Sequence, residues 1–230
     1  MRLTAFLPVF LLVAACGGGG ASPDLVPPPE QFVPEITHGW FPLAKGSHRT
    51  YLGTDDGVER REEEETLLDG RVLRRVACTG VYQEIYDAGE LVETTTEWFA
   101  EDNRGNVWKF GEESFEVIAG TPFRTADSWL AGEDPVVPFI AFPASARVGD
   151  VYETHHVDGT DTFVVAATDA FVSTPAGDFP GCLELHENPE DLEDADIILY
   201  APGLGRVAET STGGHIELVA YTAGPPVPGP

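Results

Sequence analysis

Alternating apolar and polar positions run along most of this chain, and they predict β-strands rather than helices. Residues 90–99 place Val92 and Trp98 on one face and Glu93 and Glu97 on the other, the period-two pattern of a strand with two different faces. Short segments of the same kind follow one another to the end of the chain. We therefore expect an all-β fold.

Turn-forming residues separate these strands at short intervals, which favours antiparallel hairpins over crossover connections. The turns are Thr54-Asp55-Asp56-Gly57, Asp69-Gly70, Asp87-Ala88-Gly89, Asn103-Arg104-Gly105-Asn106, Asp158-Gly159 and Gly213-Gly214. Only residues 125–131 and 189–195 could form a helical turn or two. The sequence predicts an antiparallel meander with little helix, and it leaves open whether the sheet forms a curled half-barrel, a barrel or a sandwich.

The bulky apolar residues of this pattern predict the core. Trp98, Trp108 and Phe110 flank the turn at residues 103–106, so they are expected to form the centre of the N-terminal hairpins. We expect them to face four apolar residues from later strands, Phe179, Leu183, Leu185 and Val207.

The chain is strongly acidic, with 39 acidic residues against 13 basic ones and a formal net charge of −26. Such a surface repels nucleic acid, which is excluded as a partner. Residues 62–65 are four consecutive glutamates in a strand-like stretch. They predict an edge strand that charge protects against pairing with other chains.

The two ends of the chain differ from this pattern. Residues 3–15 are uncharged, apolar and too short to span a bilayer, as in the apolar part of a secretory signal. A run of glycines and then prolines follows, typical of a tether. The sequence predicts a signal peptide at residues 1–15, a tether at residues 16–37, one domain at residues 38–223 and a disordered tail at residues 224–230.

The end of the apolar segment, Leu12-Val13-Ala14-Ala15-Cys16, resembles a bacterial lipobox. The resemblance implies that Cys16 carries a diacylglycerol, and palmitate on its new amino group, after cleavage before it. The protein would then be anchored to the cell envelope, at the outer membrane of a two-membrane cell because Gly17 is not an aspartate. An ordinary signal cut at Ala-x-Ala, with Cys16 left as a free thiol or a disulfide partner, is the alternative.

Two further cysteines, Cys78 and Cys182, remain for an oxidising compartment. An even pair permits one disulfide, but the spacing alone does not show that the two approach each other. They are a candidate disulfide, with two independent buried thiols as the alternative.

Three blocks of the domain resemble a recurrent, uncharacterised group of bacterial lipoproteins and secreted β-rich proteins. They are Trp40-Phe41-Pro42-Leu43 with Gly46 and Tyr51, Thr174-Pro175-Ala176-Gly177-Asp178-Phe179 with Cys182-Leu183, and Tyr200-Ala201-Pro202-Gly203-Leu204-Gly205-Arg206-Val207. Arg49 stands where the group usually has tryptophan. The resemblance implies an extracytoplasmic β-domain and no particular activity.

Motifs for catalysis or metal binding are weak. Gly-x-Ser-x-Gly and P-loop motifs are missing, and the adjacent His155 and His156 would point to opposite faces of a strand. The acidic residues 187–196 have oxygen ligands suited to calcium, but not the EF-hand order. No catalytic residue, metal ligand or cofactor is predicted.

These features favour a non-catalytic lipoprotein, anchored to the membrane through the lipid on Cys16, that binds an unknown protein or a small apolar ligand. The alternative is a hydrolase whose carboxylate or histidine site the sequence does not reveal.

Overall fold

The computed structural model of the protein describes residues 26–155, 157, 159–188 and 196–224. The signal peptide, Cys16, the first part of the tether, His156, most of the acidic loop and the tail from residue 225 onward lie outside the described residues. The predicted helical turn at residues 189–195 lies outside them as well. Among the described residues, no helix has the length and hydrophobicity needed to span a membrane.

The described residues confirm the all-β prediction. They form fifteen strands and one short 3-10 helix, Pro29–Gln31. The strands are β1 (His48–Asp55), β2 (Val58–Thr66), β3 (Arg71–Leu73), β4 (Val76–Asp87), β5 (Glu90–Glu101), β6 (Val107–Ile118), β7 (Thr121–Arg124), β8 (Trp129–Leu130), β9 (Phe139–Phe142), β10 (Val151–His155), β11 (Thr160–Thr174), β12 (Gly177–Glu187), β13 (Asp196–Ala201), β14 (Gly205–Thr210) and β15 (Gly214–Thr222).

The strands form one antiparallel sheet in the order β10-β11-β12-β13-β14-β15-β1-β2-β4-β5-β6-β7. Strand β3 pairs with β4, and both β8 and β9 pair with β6. The meander is joined at β1, which pairs with β2 on one side and with the last strand, β15, on the other. That pairing places the two halves of the chain in one continuous sheet.

The sheet curls until its ends approach each other. Strand β9 comes within contact of β10, but no hydrogen-bonded ladder joins them among the described residues. Phe99 and Val107 of the N-terminal half also share a buried cluster with Val165 and Leu185 of the C-terminal half. We call the face that looks into this curl the inner face and the opposite one the outer face. The structure is thus a curled open sheet.

The tryptophan core is confirmed, but it lies on the outer face. Trp98, Trp108 and Phe110 are buried together under β3, β8, β9 and the 3-10 helix region. The four residues expected to face them do not. Leu183 and Leu185 belong to the inner-face cluster, while Val207 and Phe179 belong to a third cluster around Tyr51.

Residues 26–37 are part of the folded domain, although the sequence assigns them to the tether. Ile36 is buried in the inner-face cluster, and the backbone N–H of Thr37 donates to Glu101 Oε2 at 2.6 Å.

The helical turn expected at residues 125–131 is not formed, because these residues form turns and strand β8 instead. Trp129 is almost fully buried there, so packing rather than helix propensity decides the local structure.

The candidate disulfide is not formed in the structure. Cys78 and Cys182 are both buried free thiols, one in the outer-face cluster and the other in the third cluster. Burial raises the pKa of the Cys78 thiol to about 12 and also raises the pKa of Cys182. Both therefore behave as small apolar core residues.

Candidate functional site: a groove on the inner face

The glutamate-rich strand β2 lies in the middle of the sheet, so the prediction of an edge strand is wrong. It pairs with β1 and β4 along its length. The alternation of the strand turns Glu62 and Glu64 to the inner face, beside Tyr51 and Arg49 of β1. Their charges are compensated by two arginines that also point inward.

Arg206 is the first of these arginines. Its Nη2 lies 2.5 Å from Glu62 Oε2 and its Nη1 lies 2.7 Å from Glu209 Oε2, while its guanidinium stands over the Tyr51 ring at 4.3 Å. Burial alone would lower the pKa of Arg206, but the charges of Glu62, Tyr51 and Glu209 outweigh it and raise the pKa. Arg206 is therefore a permanent buried cation held by two carboxylates.

Arg49 is the second, and it ties together distant parts of the chain. Its Nη1 lies 2.5 Å from Glu64 Oε1. Its Nε and Nη2 donate to the carbonyl oxygen of Leu204 at 3.0 and 2.7 Å, and Nη2 also donates to that of Pro42 at 3.3 Å. A side chain at position 205 would stand 3.4 Å from this guanidinium, and the φ of Gly205 is +109°. Glycine is therefore required beside Arg49.

The three sequence blocks meet at this place. Trp40 Nε1 donates to the Gly181 carbonyl at 3.2 Å, and the N–H of Gly203 donates to the Gly39 carbonyl at 2.8 Å. The Phe41 ring packs edge-on against Tyr200, with centroids 6.4 Å apart. Together these contacts hold residues 39–43 across the inner face, so that Phe41 lies between its two pockets.

A groove with two pockets runs along the inner face. The first pocket, of about 170 Å³, is lined by Arg49, Glu64, Gln83, Arg206 and Glu209. The second, of about 220 Å³, lies where β9 approaches β10. Phe41, Glu97 and Tyr200 line both pockets, so the two are neighbouring compartments of one groove.

The second pocket is mainly aromatic, with a few charged groups. Besides the shared walls, its aromatic lining comes from Phe99, Phe139, Phe142, Tyr152 and Phe163. Tyr152 and Phe163 stack with centroids 5.2 Å apart, and Phe142 meets Tyr200 edge-on at 5.0 Å. Burial raises the pKa of both tyrosines, so their hydroxyls stay neutral.

Lys109 and Glu187 are the charged groups that distinguish this pocket. The Lys109 ammonium contacts Glu97 Oε1 at 2.6 Å and also the Glu112 carboxylate. Burial alone would lower the pKa of Lys109, but these two carboxylates raise it. For Glu187, burial and then the nearby Asp161, Asp196 and Glu209 raise the pKa to about 7. A carboxyl group with this pKa is suited to binding or to proton transfer.

A wider cavity of about 490 Å³ lies outside the groove, between residues 34–37 and residues 42–45. Apart from Thr79, all the residues that line this cavity lie between positions 34 and 45, and the charged ones are Glu35 and Lys45. The groove gathers side chains from many strands, whereas this cavity does not. We therefore regard the groove as the candidate site.

The sequence-predicted site residues do not meet in the groove. Cys16 lies outside the described residues, and Cys78 and Cys182 are buried in separate clusters. His155, at the end of β10, is exposed. In the part of the chain that the structure describes, no group of three or more His, Cys, Asp or Glu side chains is arranged to hold a metal ion.

Sequence reasoning gave no site role to the groove residues Arg49, Glu64 and Arg206, and it considered Glu187 only as part of an acidic loop with oxygen ligands suited to calcium. The four consecutive glutamates of β2 were the one available signal for these residues. A strand with charges on both faces either lies at a sheet edge or lines a polar interior, and the sequence analysis considered only the edge. The deciding contact, from Arg206 to Glu62, joins residues 144 positions apart, which no local pattern shows.

No known protein-family model matches this chain, and no curated protein matches it at a significant level. Comparison with solved structures finds a weak likeness to the crystal structure of "a putative lipoprotein from Parabacteroides distasonis", with a TM-score of 0.43 and 13% sequence identity. The similarity covers 80% of this chain and 99% of the other. A likeness of this strength says nothing about the ligand or activity of the present chain.

Proposed function

We propose that this protein is a lipid-anchored extracytoplasmic binding module whose inner-face groove receives a small molecule. The observation that carries the proposal is the pair of neighbouring pockets on the inner face, formed by residues from both halves of the chain. Concave, mostly preformed sites with apolar walls and a few placed polar groups are where small ligands bind.

The buried ion pairs support this assignment, because they shape the groove before any ligand arrives. Arg49 holds residues 39–43 against the loop at Leu204, and Arg206 holds β14 against β2. A preformed site loses less conformational entropy on binding than one that must be ordered first. The anchor itself is proposed from the sequence, from Cys16 and the segment before it.

For the anchor, we expect Cys16→Ser to move the protein from the membrane fraction to the soluble extracytoplasmic fraction, because the substitution removes the acylated thiol. Fractionation followed by immunoblotting measures the change, and labelling with a radioactive fatty acid checks the wild type. Label on the wild type and none on Cys16→Ser is the expected control. A membrane-bound, unlabelled wild type would contradict the lipid anchor.

For the groove, we expect Ala141→Phe to weaken binding of a neutral aromatic probe, meta-tert-butylphenol, by about tenfold or more. Ala141 lines the second pocket, and a phenyl ring there would occupy much of its volume. Calorimetry on the full chain in a nonionic detergent, with the heat of titration into detergent alone subtracted, measures the affinity.

The matched control is Val151→Phe on the neighbouring strand β10. Val151 is exposed and does not line the pocket, so its replacement is expected to leave the affinity unchanged. If both variants bound the probe as the wild type does, the probe would lie elsewhere and the groove assignment would be wrong.

A hydrolase is the second candidate, and one observation favours it. The pKa of Glu187 is raised to about 7 in a partly closed pocket, which suits a general acid or base at neutral pH. The two candidates are separated by turnover, since a binding module releases its ligand chemically unchanged.

A further inference from the structure

The second pocket combines aromatic walls with one carboxylate, that of Glu187, which no cation of the described residues compensates. Among the described lining residues, Lys109 is the one cation, and its charge is already matched by Glu97 and Glu112. The carboxylate of Glu187 accepts no hydrogen bond and forms no ion pair within the described part of the chain.

We propose that the second pocket binds a small organic cation, an amine or quaternary ammonium compound with an apolar ring or alkyl body. This inference rests on the proposed function, because it names the ligand class of the same groove. Aromatic rings attract a cation through their quadrupole, and the attraction strengthens as water is removed. The carboxylate adds a direct charge partner.

The charged and titratable groups around Glu187 support a cation over other ligands. Asp161 of β11, Asp196 of β13 and Glu209 of β14 raise its pKa, after burial, and Tyr152 and Tyr200 face it as neutral hydroxyls. From β5 and β6, Glu97, Lys109 and Glu112 together carry a net negative charge. The carboxylates of the lining outnumber its one cation, so an anion entering this pocket would meet a net repulsion.

The walls also separate an organic cation from a metal ion. A hydrated metal ion needs several oxygen ligands around it, whereas most of this lining is aromatic carbon. A zwitterionic lipid headgroup would bring a phosphate next to the carboxylates. The chemistry of the pocket therefore fits a simple cation best.

The experiment compares two probes of the same shape on the full chain in a nonionic detergent. Phenyltrimethylammonium carries a positive charge that does not depend on pH, and tert-butylbenzene is its neutral counterpart. At about pH 8 we expect calorimetry to show the cation binding about tenfold more tightly than the neutral probe. Phosphocholine is expected to bind more weakly than choline.

Two variants with the same charge change test the role of Glu187. Glu187→Gln is expected to lower the affinity for the cation about tenfold and to leave the affinity for the neutral probe unchanged. Glu184→Gln is the matched control, because Glu184 lies on the same strand with its side chain paired to His186 at 2.8 Å, away from the pocket lining. It is expected to leave both affinities unchanged.

The pH dependence gives a second measurement that does not require a variant. Because the carboxylate form of Glu187 attracts the cation, affinity for the cation should fall as the pH drops through about 7 and Glu187 takes up a proton. The affinity for the neutral probe should stay constant over the same range.

Three other outcomes would contradict the inference. Equal affinities for cation and neutral probe would overturn the inference while supporting the groove as a binding site. No binding of either probe would overturn the proposed function as well. Calcium alone, if it bound more tightly than the organic cation and displaced it, would make this a metal site and overturn the inference.

Discussion

Replacing Arg206 with methionine is expected to lower the free energy of unfolding by about 3–5 kcal/mol. Arg206 contacts Glu62 and Glu209 on the inner face, and Glu62 is itself only 5% exposed. Methionine has a similar length but no charge, so Glu62 would keep one hydrogen bond, from Gln83 Nε2 at 3.0 Å, and no counter-ion. The large cost comes from leaving a buried carboxylate unpaired.

Urea denaturation measures this change, and Arg61→Met is the matched control. Arg61 lies on β2 with a side chain that is 41% exposed, paired to Glu63 at 2.6 Å, so its loss should cost less than about 1 kcal/mol. In the double variant Arg206→Met, Glu62→Met, much of the lost stability should return, because both charges are then removed together. Equal costs for Arg206→Met and Arg61→Met would contradict this account of the inner face.

Trp108→Ala is expected to lower the free energy of unfolding by about 3–5 kcal/mol. The Trp108 side chain is only 3% exposed in the outer-face cluster, and its Nε1 donates to Asp102 Oδ2 at 2.9 Å. Truncation would leave a cavity and remove this hydrogen bond from a carboxylate that is 2% exposed. The loss is a large share of a typical stability of about 5–15 kcal/mol.

Trp108→Phe is a partial truncation, because it keeps a buried aromatic ring but removes the Nε1 donor and part of the indole volume. Its cost should be smaller, about 1–3 kcal/mol, because a ring still fills most of the site and Asp102 Oδ2 keeps the hydrogen bond from the Asn106 side chain. Since Trp108 does not line the groove, the folded variants should bind meta-tert-butylphenol as the wild type does. Loss of probe binding in folded Trp108→Phe would show that the outer face contributes to the site.

Asp102 explains why the hairpin around Trp108 was predictable. Its Oδ1 accepts the backbone N–H groups of Arg104 and Asn106 at 2.8 and 3.0 Å, and its Oδ2 accepts the Asn106 side chain at 2.9 Å. These contacts lie within a few residues of each other, so the turn signal in the sequence is enough to predict them. Burial alone would raise the pKa of Asp102, but these hydrogen bonds and that from Trp108 lower it.

The groove could not be predicted in the same way, because none of its contacts is local. Glutamates at positions 62 and 64 have the same sequence pattern whether β2 lies at an edge or in the middle of the sheet. Their surroundings depend on Arg206 and Arg49, and Arg49 in turn donates to the carbonyl oxygen of Leu204, 155 positions further along the chain. The charge pattern alone therefore favoured the wrong environment.

The tether shows the same difference at the start of the domain. Its proline content predicts an extended segment, and the described part has one turn of 3-10 helix and otherwise no regular helix or strand of more than an isolated bridge. What composition does not show is that Ile36 packs against strands from both halves of the sheet. Burial of an extended segment depends on the surface that the rest of the chain offers to it.

By itself the sequence determined the strands, their hairpins and their two faces, because alternation and turn chemistry act between residues close along the chain. It also determined the buried tryptophans at positions 98 and 108, because they lie in alternating strands that flank a clear turn. Only the tertiary structure decided which face is concave, which glutamates meet arginines and where the cysteines lie. Those outcomes depend on the pairing of β1 with β15 and on the curl that brings β9 to β10, and each joins residues far apart in the sequence.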